Sequence, residues 1–372
     1  MTVNTFDRHL LREWLQILGL WLVATCGLLF VQISYDDFPR LREEGARGLD
    51  FWHYFLVTMP SFLAIVLPSA LLVSLLFTLT KMHRANELTA MRAAGVGFLR
   101  LMAPVWFVGV LACGVAWWLN SVIVPWSVEE SRAQSEELLF RSQSKTLSPD
   151  RVGASYDVAF DNPGDQRMWF FNRYSKFTHH GYGVSVSQLD AQRRETERIV
   201  ATEAWPDPVH GGWTFKAGRE LRFDVESGEE MASAPFAQKF EPQFHEDPQL
   251  MLLTTARPID LSFFELHRLV DYFAVANKAK GVPYAVRYYQ LIADTLGPLI
   301  VIAIAIPFAV AGVRVNPAVG VSKAIGLFFL YYVVMNVAEI LATKQVVAPP
   351  LAAWLPDIGM AGLAVWLFAR LR

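Results

Sequence analysis

The chain has 372 residues, of which 53% are hydrophobic and only 18% charged, with a formal net charge of -2 and two cysteines. A balance this close to neutral carries no electrostatic footprint for nucleic acid, and two cysteines cannot form a disulfide framework. With 12 tryptophans and 26 phenylalanines as well, the chain is too apolar and too short to bury its long hydrophobic stretches in one soluble core, which points to a bilayer.

In chain order, apolar runs cover residues 14–33, 55–80 and 98–124; a polar region follows, and then runs at 289–311, 325–342 and 351–368. A helix rising about 1.5 Å per residue needs about 20 apolar residues to cross the hydrocarbon core. The pattern therefore predicts a polytopic α-helical membrane protein, three spans and three spans around an inserted domain. Arg8 and Arg12 precede the first run, as they would in a signal peptide. That run is longer than a signal core, however, and Gln32-Ile33-Ser34-Tyr35-Asp36 is no small-residue cleavage site.

Six crossings put Arg8, Arg12, Lys81, Arg84, Arg92, Arg100, Arg314, Lys323, Arg370 and Arg372 on one side. That side is expected to be cytoplasmic, since short cytoplasmic loops are enriched in Lys and Arg. Arg40, Arg42, Arg47 and Lys344 oppose the bias and are outnumbered. The expected organisation is residues 1–124 for spans one to three, 125–284 for an exported domain, and 285–372 for spans four to six, with both termini inside.

Between spans two and three, residues 82–95 read as a short separate helix. Asn86 can cap it, Glu87 suits the positive end of its dipole, and Gly95 can end it. Such a helix either merely connects two spans or acts as a rigid peg for a cytoplasmic motor subunit, with Glu87 meeting a basic partner residue.

The exported region reads as strands. Tyr182, Val184 and Val186 alternate with small and polar residues, as do Trp213 and Phe215, and Leu221, Phe223 and Val225. Turn signals lie at Asn162-Pro163-Gly164-Asp165, His180-Gly181, Pro206-Asp207-Pro208 and His210-Gly211-Gly212. A sandwich or jelly roll is expected, its apolar face being either plain core or a path for a lipid chain. Cys26 and Cys113 both fall in spans, so this domain must stand on its apolar core alone. Helical connectors are expected at 127–144, rich in Glu and Gln, and at 262–280. In the second, Phe263, Leu266, Leu269, Val270 and Phe273 share one face.

Little else in the chain carries chemistry. No G-x-x-x-x-G-K-[ST] segment occurs, so ATP hydrolysis is not expected of this chain. His179, His180, His210 and His245 have no cysteines or close acids to complete a metal site, and no nucleophile motif is present. No enzyme activity, cofactor or metal is expected. Asp294 and Glu339 are read as acids within spans, either at solvated outer ends or in contact with substrate.

Several segments together carry a family resemblance. They are Phe6-Asp7-Arg8-His9-Leu10, the loop Asn86-Glu87-Leu88-Thr89-Ala90-Met91-Arg92-Ala93-Ala94-Gly95, Pro258-Ile259-Asp260-Leu261-Ser262 with Glu265-Leu266, and Gly297-Pro298-Leu299 with Ile306-Pro307-Phe308. With the arrangement of spans around a strand domain, they resemble the LptF/LptG (YjgP/YjgQ) permeases of the bacterial lipopolysaccharide exporter. The tail Ala348-Pro349-Pro350-Leu351-Ala352-Ala353-Trp354-Leu355-Pro356 leans towards LptG.

The resemblance implies an inner-membrane subunit with a periplasmic β-jelly-roll-like domain. It implies three kinds of partner: a paralogous six-span permease, a cytoplasmic LptB-like ATPase dimer, and a single-span LptC-like accessory subunit. Lipopolysaccharide would enter between the permeases and be pushed into a bridge of strand domains leading to the outer membrane. Glu87 matches the family's ATPase-contacting glutamate, with Arg84, Leu88, Met91 and Arg92 around it. Phe30, Ile33 and Phe62 are candidates for the lipid cavity, and Val184, Val186, Trp213 and Phe215 for the periplasmic lipid path. One departure stands out: Gln32, Ser34, Tyr35, Asp36 and Asp37 precede Arg40 and Arg42 where family members carry cations for lipid phosphates. Either the headgroup is less charged or the paired subunit supplies the cations. A mechanotransmitting subunit or a membrane scaffold remains the alternative, although the former usually has four spans.

Overall fold

Among the described residues six helical stretches are long and apolar enough to cross a membrane. The computed structural model describes residues 5–43, 46–207, 211–310 and 317–370. Arg314, Arg372, Pro208 and His210, used above for orientation, turns and metal chemistry, lie outside the described residues. Helices α1 (Thr5–Asp36), α2 (Phe38–Glu43), α3 (Gly48–Arg84), α4 (Glu87–Ala93), α5 (Phe98–Trp118) and α6 (Val124–Gln143) precede strands β1 (Ala154–Asn162), β2 (Arg167–Ser175), β3 (His180–Leu189), β4 (Glu195–Pro206), β5 (Trp213–Phe223) and β6 (Glu230–Glu241). Helices α7 (Pro248–Leu253), α8 (Phe263–Ala276), α9 (Lys278–Ala293), α10 (Gly297–Val310), α11 (Pro317–Thr343) and α12 (Pro349–Ala369) follow. One π turn, Leu119–Ile123, carries α5 into α6, and a 3-10 turn, Asp294–Leu296, joins α9 to α10.

Two compact units result, one of Met1–Pro39, Leu49–Ser131 and Val282–Arg372, the other of Arg40–Gly48 and Arg132–Gly281. The first is helical. Its core joins Leu10 and Trp14 of α1 to Leu71, Leu72, Leu75, Leu76 and Leu79 of α3, to Leu101, Met102 and Val105 of α5, and to Val301, Ile302 and Ala305 of α10. Trp14 is fully buried, so its indole N–H needs a partner; Nε1 donates to Ser74 Oγ at 3.0 Å. Ser127 of α6 donates to the Val57 carbonyl at 2.5 Å and lies 2.8 Å from Ser61 Oγ, tying α6 to α3. A Cβ at Gly109 would come within 3.0 Å of Ile302 Cδ1, so the small residue permits the close crossing of α5 and α10.

The second unit is built on one antiparallel sheet in the order β1-β2-β3-β4-β5-β6. Period-two alternation puts Val158, Phe160, Trp169, Phe171, Val184, Val186, Ile199, Ala201, Trp213 and Phe215 on its buried face. Strands β2 and β5 are three places apart, about 14 Å across a flat sheet. Yet Trp169 of β2 and Trp213 of β5 have ring centroids 4.7 Å apart, and Trp169 and Phe215 stack at 6.0 Å. The sheet therefore curls until its two halves face each other. This is the inserted β domain expected from the sequence, a meander folded into two layers in which each strand pairs with its neighbour in sequence. The turn expected at His180-Gly181 falls at His179, whose φ is 58°, and Val225 lies beyond the end of β5. Gly212, with φ 86°, needs to be glycine: a Cβ there would meet the Glu241 carbonyl oxygen at 2.5 Å.

At one end of this core Arg167 and Glu246 form a buried ion pair, Nε to Oε1 at 2.6 Å, while Trp213 Nε1 donates to the Glu246 carbonyl at 3.1 Å. Helix α8 begins with a reciprocal cap, the Ser262 amide donating to Glu265 Oε2 and the Glu265 amide to Ser262 Oγ. Arg132 donates to the same carboxylate at 2.6 Å and also to the Asp260 carbonyl. Burial works to raise the Glu265 pKa, but the Arg132 hydrogen bond and the Ser262 amide outweigh it and hold the carboxyl below its ordinary value.

Two outcomes are expected of the full chain in detergent. Trp169→Ala should lower stability by about 3–5 kcal/mol, read as a fall in the unfolding midpoint. Glu265 has a depressed value in the folded state, so its contribution is present above the ordinary carboxylate range and lost as pH falls through the folded value. The midpoint difference between wild type and Glu265→Gln should hold from neutral pH to about pH 5 and close below about pH 4.

Candidate functional site

Helix α4 is short, so its ends decide its stability. Asn86 stands at its N-cap in the left-handed region, φ 59°. Asparagine tolerates that conformation, and here the side chain makes no capping hydrogen bond; the residue ends α3 and turns the chain, where the sequence suggested a side-chain cap. At the other end Gly95, φ 83°, completes a double closure. Its amide donates to the Arg92 carbonyl at 3.0 Å, and the Val96 amide donates to the Met91 carbonyl at 3.2 Å.

The helices around α4 are tied by ion pairs. Arg100 at the start of α5 meets Asp7 of α1 in a two-pronged contact, 2.9 and 3.2 Å, and Lys81 at the end of α3 pairs with Glu13 of α1. Glu87 is half-exposed and its Oε2 lies 3.4 Å from His9 Nε2 of α1. Arg84 and Arg92 are exposed and Met91 is half-buried. Leu88 is only 1% exposed and joins the helical core. It anchors α4 from beneath and is not open to a partner, so the docking residues expected from the sequence divide into one anchor and an outer face.

The candidate cavity residues do not line the polar cavity of the helical unit. Phe30 stacks on Trp52 at 5.2 Å and meets Phe55 edge-on at 4.9 Å; Ile33 is buried; Phe62 is half-buried. The cavity itself, about 240 Å³, is lined by Ser61, Asn120, Arg287, Gln290, Asp294, Tyr331, Tyr332, Asn336 and Glu339 among others. Asp294 and Glu339, read from sequence as separate helix ends, thus share one wall with Arg287. Asp357, which the sequence reading passed over, is buried in α12 and accepts a hydrogen bond from Tyr331 at 2.5 Å. An acid this deep in a span was detectable from hydropathy as a lone charge in 351–368.

In the sheet, Val184, Val186, Trp213 and Phe215 all lie on the inner face and are at most 2% exposed. Rings fill the interior. The space beside Val186, Ile199 and Phe244 is only about 60 Å³, so passage of an acyl chain requires the two layers to part.

A multi-span helical protein with an inserted antiparallel β domain, and with a capped helix set between two spans, has the build of a transporter's membrane subunit. Residues 8–370 match the family described as lipopolysaccharide export system permease LptF/LptG. The chain belongs to that family. No curated protein matches it.

The closure at Gly95 is open to test. Gly95→Ala puts a Cβ on a left-handed residue and should cost about 1 kcal/mol. Amide exchange over residues 87–94 should quicken, while that of α5 stays as in wild type.

Proposed function

We infer that this chain is one permease of a pair that extracts lipopolysaccharide from the inner membrane, driven by a separate LptB-like ATPase dimer. The observation that carries this reading is α4: a helix closed at Gly95, anchored by Leu88 and presenting Glu87 and Arg92 outward, with Arg84 exposed at the end of α3 beside it. A mere connector has no need of such closure, whereas a peg that takes force must be stiff and held from beneath. In this reading α4 and both termini face the cytoplasm, and the ATPase meets Glu87 with a basic residue that competes with His9. The ties Asp7–Arg100 and Glu13–Lys81 pass the stroke from α4 to α1, α3 and α5 together.

Partner helices are supported by what the chain leaves uncovered. Only 6% of the apolar window of α1 and 17% of that of α11 are buried, against 61% for α9 to α10. Without a hydrophobic drive between helices, such faces are covered by lipid or by matching helices; α1 and α11 suit the paralogous permease and the single span of an LptC-like subunit. The Ala348–Pro356 stretch favours the LptG side of the pair. The β domain would lie in the periplasm, Val184, Val186, Trp213 and Phe215 facing the lipid path and the free edges of β1 and β6 open to strand addition. Phe30, Ile33 and Phe62 would flank the lipid's entry between permeases.

Glu87→Arg should abolish co-purification of the ATPase, and Glu87→Ala should weaken it by about tenfold. Cells relying on either variant should accumulate lipopolysaccharide at the inner membrane. Unchanged ATPase recovery and unchanged export in both would sink the coupling role. Recovery of the chain alone from wild-type cells would sink the exporter reading itself.

A further inference from the structure

The cavity in the helical unit has no place in the coupling argument, and its chemistry is specific. Three charged side chains line it: Arg287 on α9, Asp294 at the α9 to α10 turn, and Glu339 on α11. Hydrocarbon makes such groups costly unless they are paired. Here they are incompletely paired. Among the described residues Arg287 Nε, which is buried, has no hydrogen-bond partner. Asp294 is densely enclosed, keeps its exposed area towards the cavity, and accepts no hydrogen bond from any described side chain. It interacts electrostatically with Arg287, Asp357 and Glu339. Glu339 stands exposed at the mouth, where Gln290 Nε2 donates to it at 3.2 Å. Asn120, Asn336, Tyr332 and Ser61 add neutral donors and acceptors.

We propose that this cavity binds a zwitterionic headgroup carrying both a phosphate ester and a primary ammonium, the phosphate on Arg287 and the ammonium between Asp294 and Glu339. The charges select that class. A plain anion would satisfy Arg287 but meet two carboxylates, and a plain cation would meet the guanidinium on the same wall. A neutral ligand would leave all three charges unanswered. Among the described residues no three His, Cys, Asp or Glu side chains converge as for a metal ion. A phospho-ammonium head places opposite charges a few bonds apart, which suits a cavity lined at once by the Arg287 guanidinium of α9, the Asp294 carboxylate of the turn that follows it and the Glu339 carboxylate of α11. Its ammonium has three N–H donors for the carboxylates, and its phosphate oxygens suit the guanidinium fork. The volume, about 240 Å³, is many times the roughly 30 Å³ share of one water.

This goes beyond the export reading, because the headgroup can come from a resident phospholipid or from the exported lipid itself. The full chain, with whatever subunits co-purify, is stripped of lipid in detergent. It is then titrated with dioctanoyl phosphatidylethanolamine and with dioctanoyl phosphatidylglycerol, binding being read by native mass spectrometry. Wild type should prefer the ethanolamine lipid by at least about fivefold. Asp294→Asn should bring the ratio near one, and Arg287→Gln should weaken both lipids. Glu339→Gln, at the exposed mouth, serves should Asp294→Asn fail to fold; thermal unfolding without lipid decides that beforehand. Equal affinity for the two lipids in wild type overturns the proposal, as does a preference that survives in the folded variants. Where the preference holds, displacement of the ethanolamine lipid by lipopolysaccharide assigns the site to the exported lipid, and its persistence assigns it to a resident one. Loss of the ATPase from the preparation bears on the export reading alone, since the affinity ratio is measured whether or not the ATPase is present.

Discussion

Hydrocarbon cannot hydrogen-bond, and every polar group this chain carries into its helical unit has had to answer that constraint. Trp14 gives its N–H to Ser74, Ser127 reaches the Val57 carbonyl, and Tyr331 gives its hydroxyl to Asp357. Ion pairs cluster at helix ends: Asp7 with Arg100, Glu13 with Lys81. Arg287, Asp294 and Glu339 converge on a cavity between α3, the π turn leading into α6, α9, α10 and α11. Polar chemistry in this unit is therefore confined to the bases of helices and one polar chamber, and those are the two places where function is to be sought.

The β domain solves a different problem, stability without a disulfide, since both cysteines lie outside it. Curling one six-stranded meander brings the Trp169, Phe171, Trp213 and Phe215 rings together from strands that are not neighbours. Aromatic rings bury much area apiece, so few of them close a small core. The same packing leaves no standing channel. Anything that passes along this face has to part the layers.

The coupling region and the cavity are opposite kinds of site. Around α4 the chain is closed at Gly95, Leu88 is buried beneath the helix and the flanking helices are tied by the Asp7–Arg100 and Glu13–Lys81 pairs. Around Arg287 and Asp294 the side chains are underpaired, as suits an element that waits for a ligand.

Much of this was legible in the sequence. Length and hydropathy alone determine six spans, because one bilayer thickness sets one helix length, and period-two alternation determines which residues of the strands share a face. The helix at residues 87–93 was legible from Glu87 and Gly95, since dipole and left-handed closure are local effects. Tertiary structure decided what depends on partners distant in sequence. Alternation cannot say whether two layers are two sheets or one curled sheet; that rests on Trp169 meeting Trp213 across three strands. Periodicity could not tell that Leu88 faces the core while Glu87 faces out. Nor could hydropathy, which weighs each span separately, bring Arg287, Asp294 and Glu339 from separate positions on the chain to one wall, because that convergence is made by helix packing, which sequence spacing does not encode.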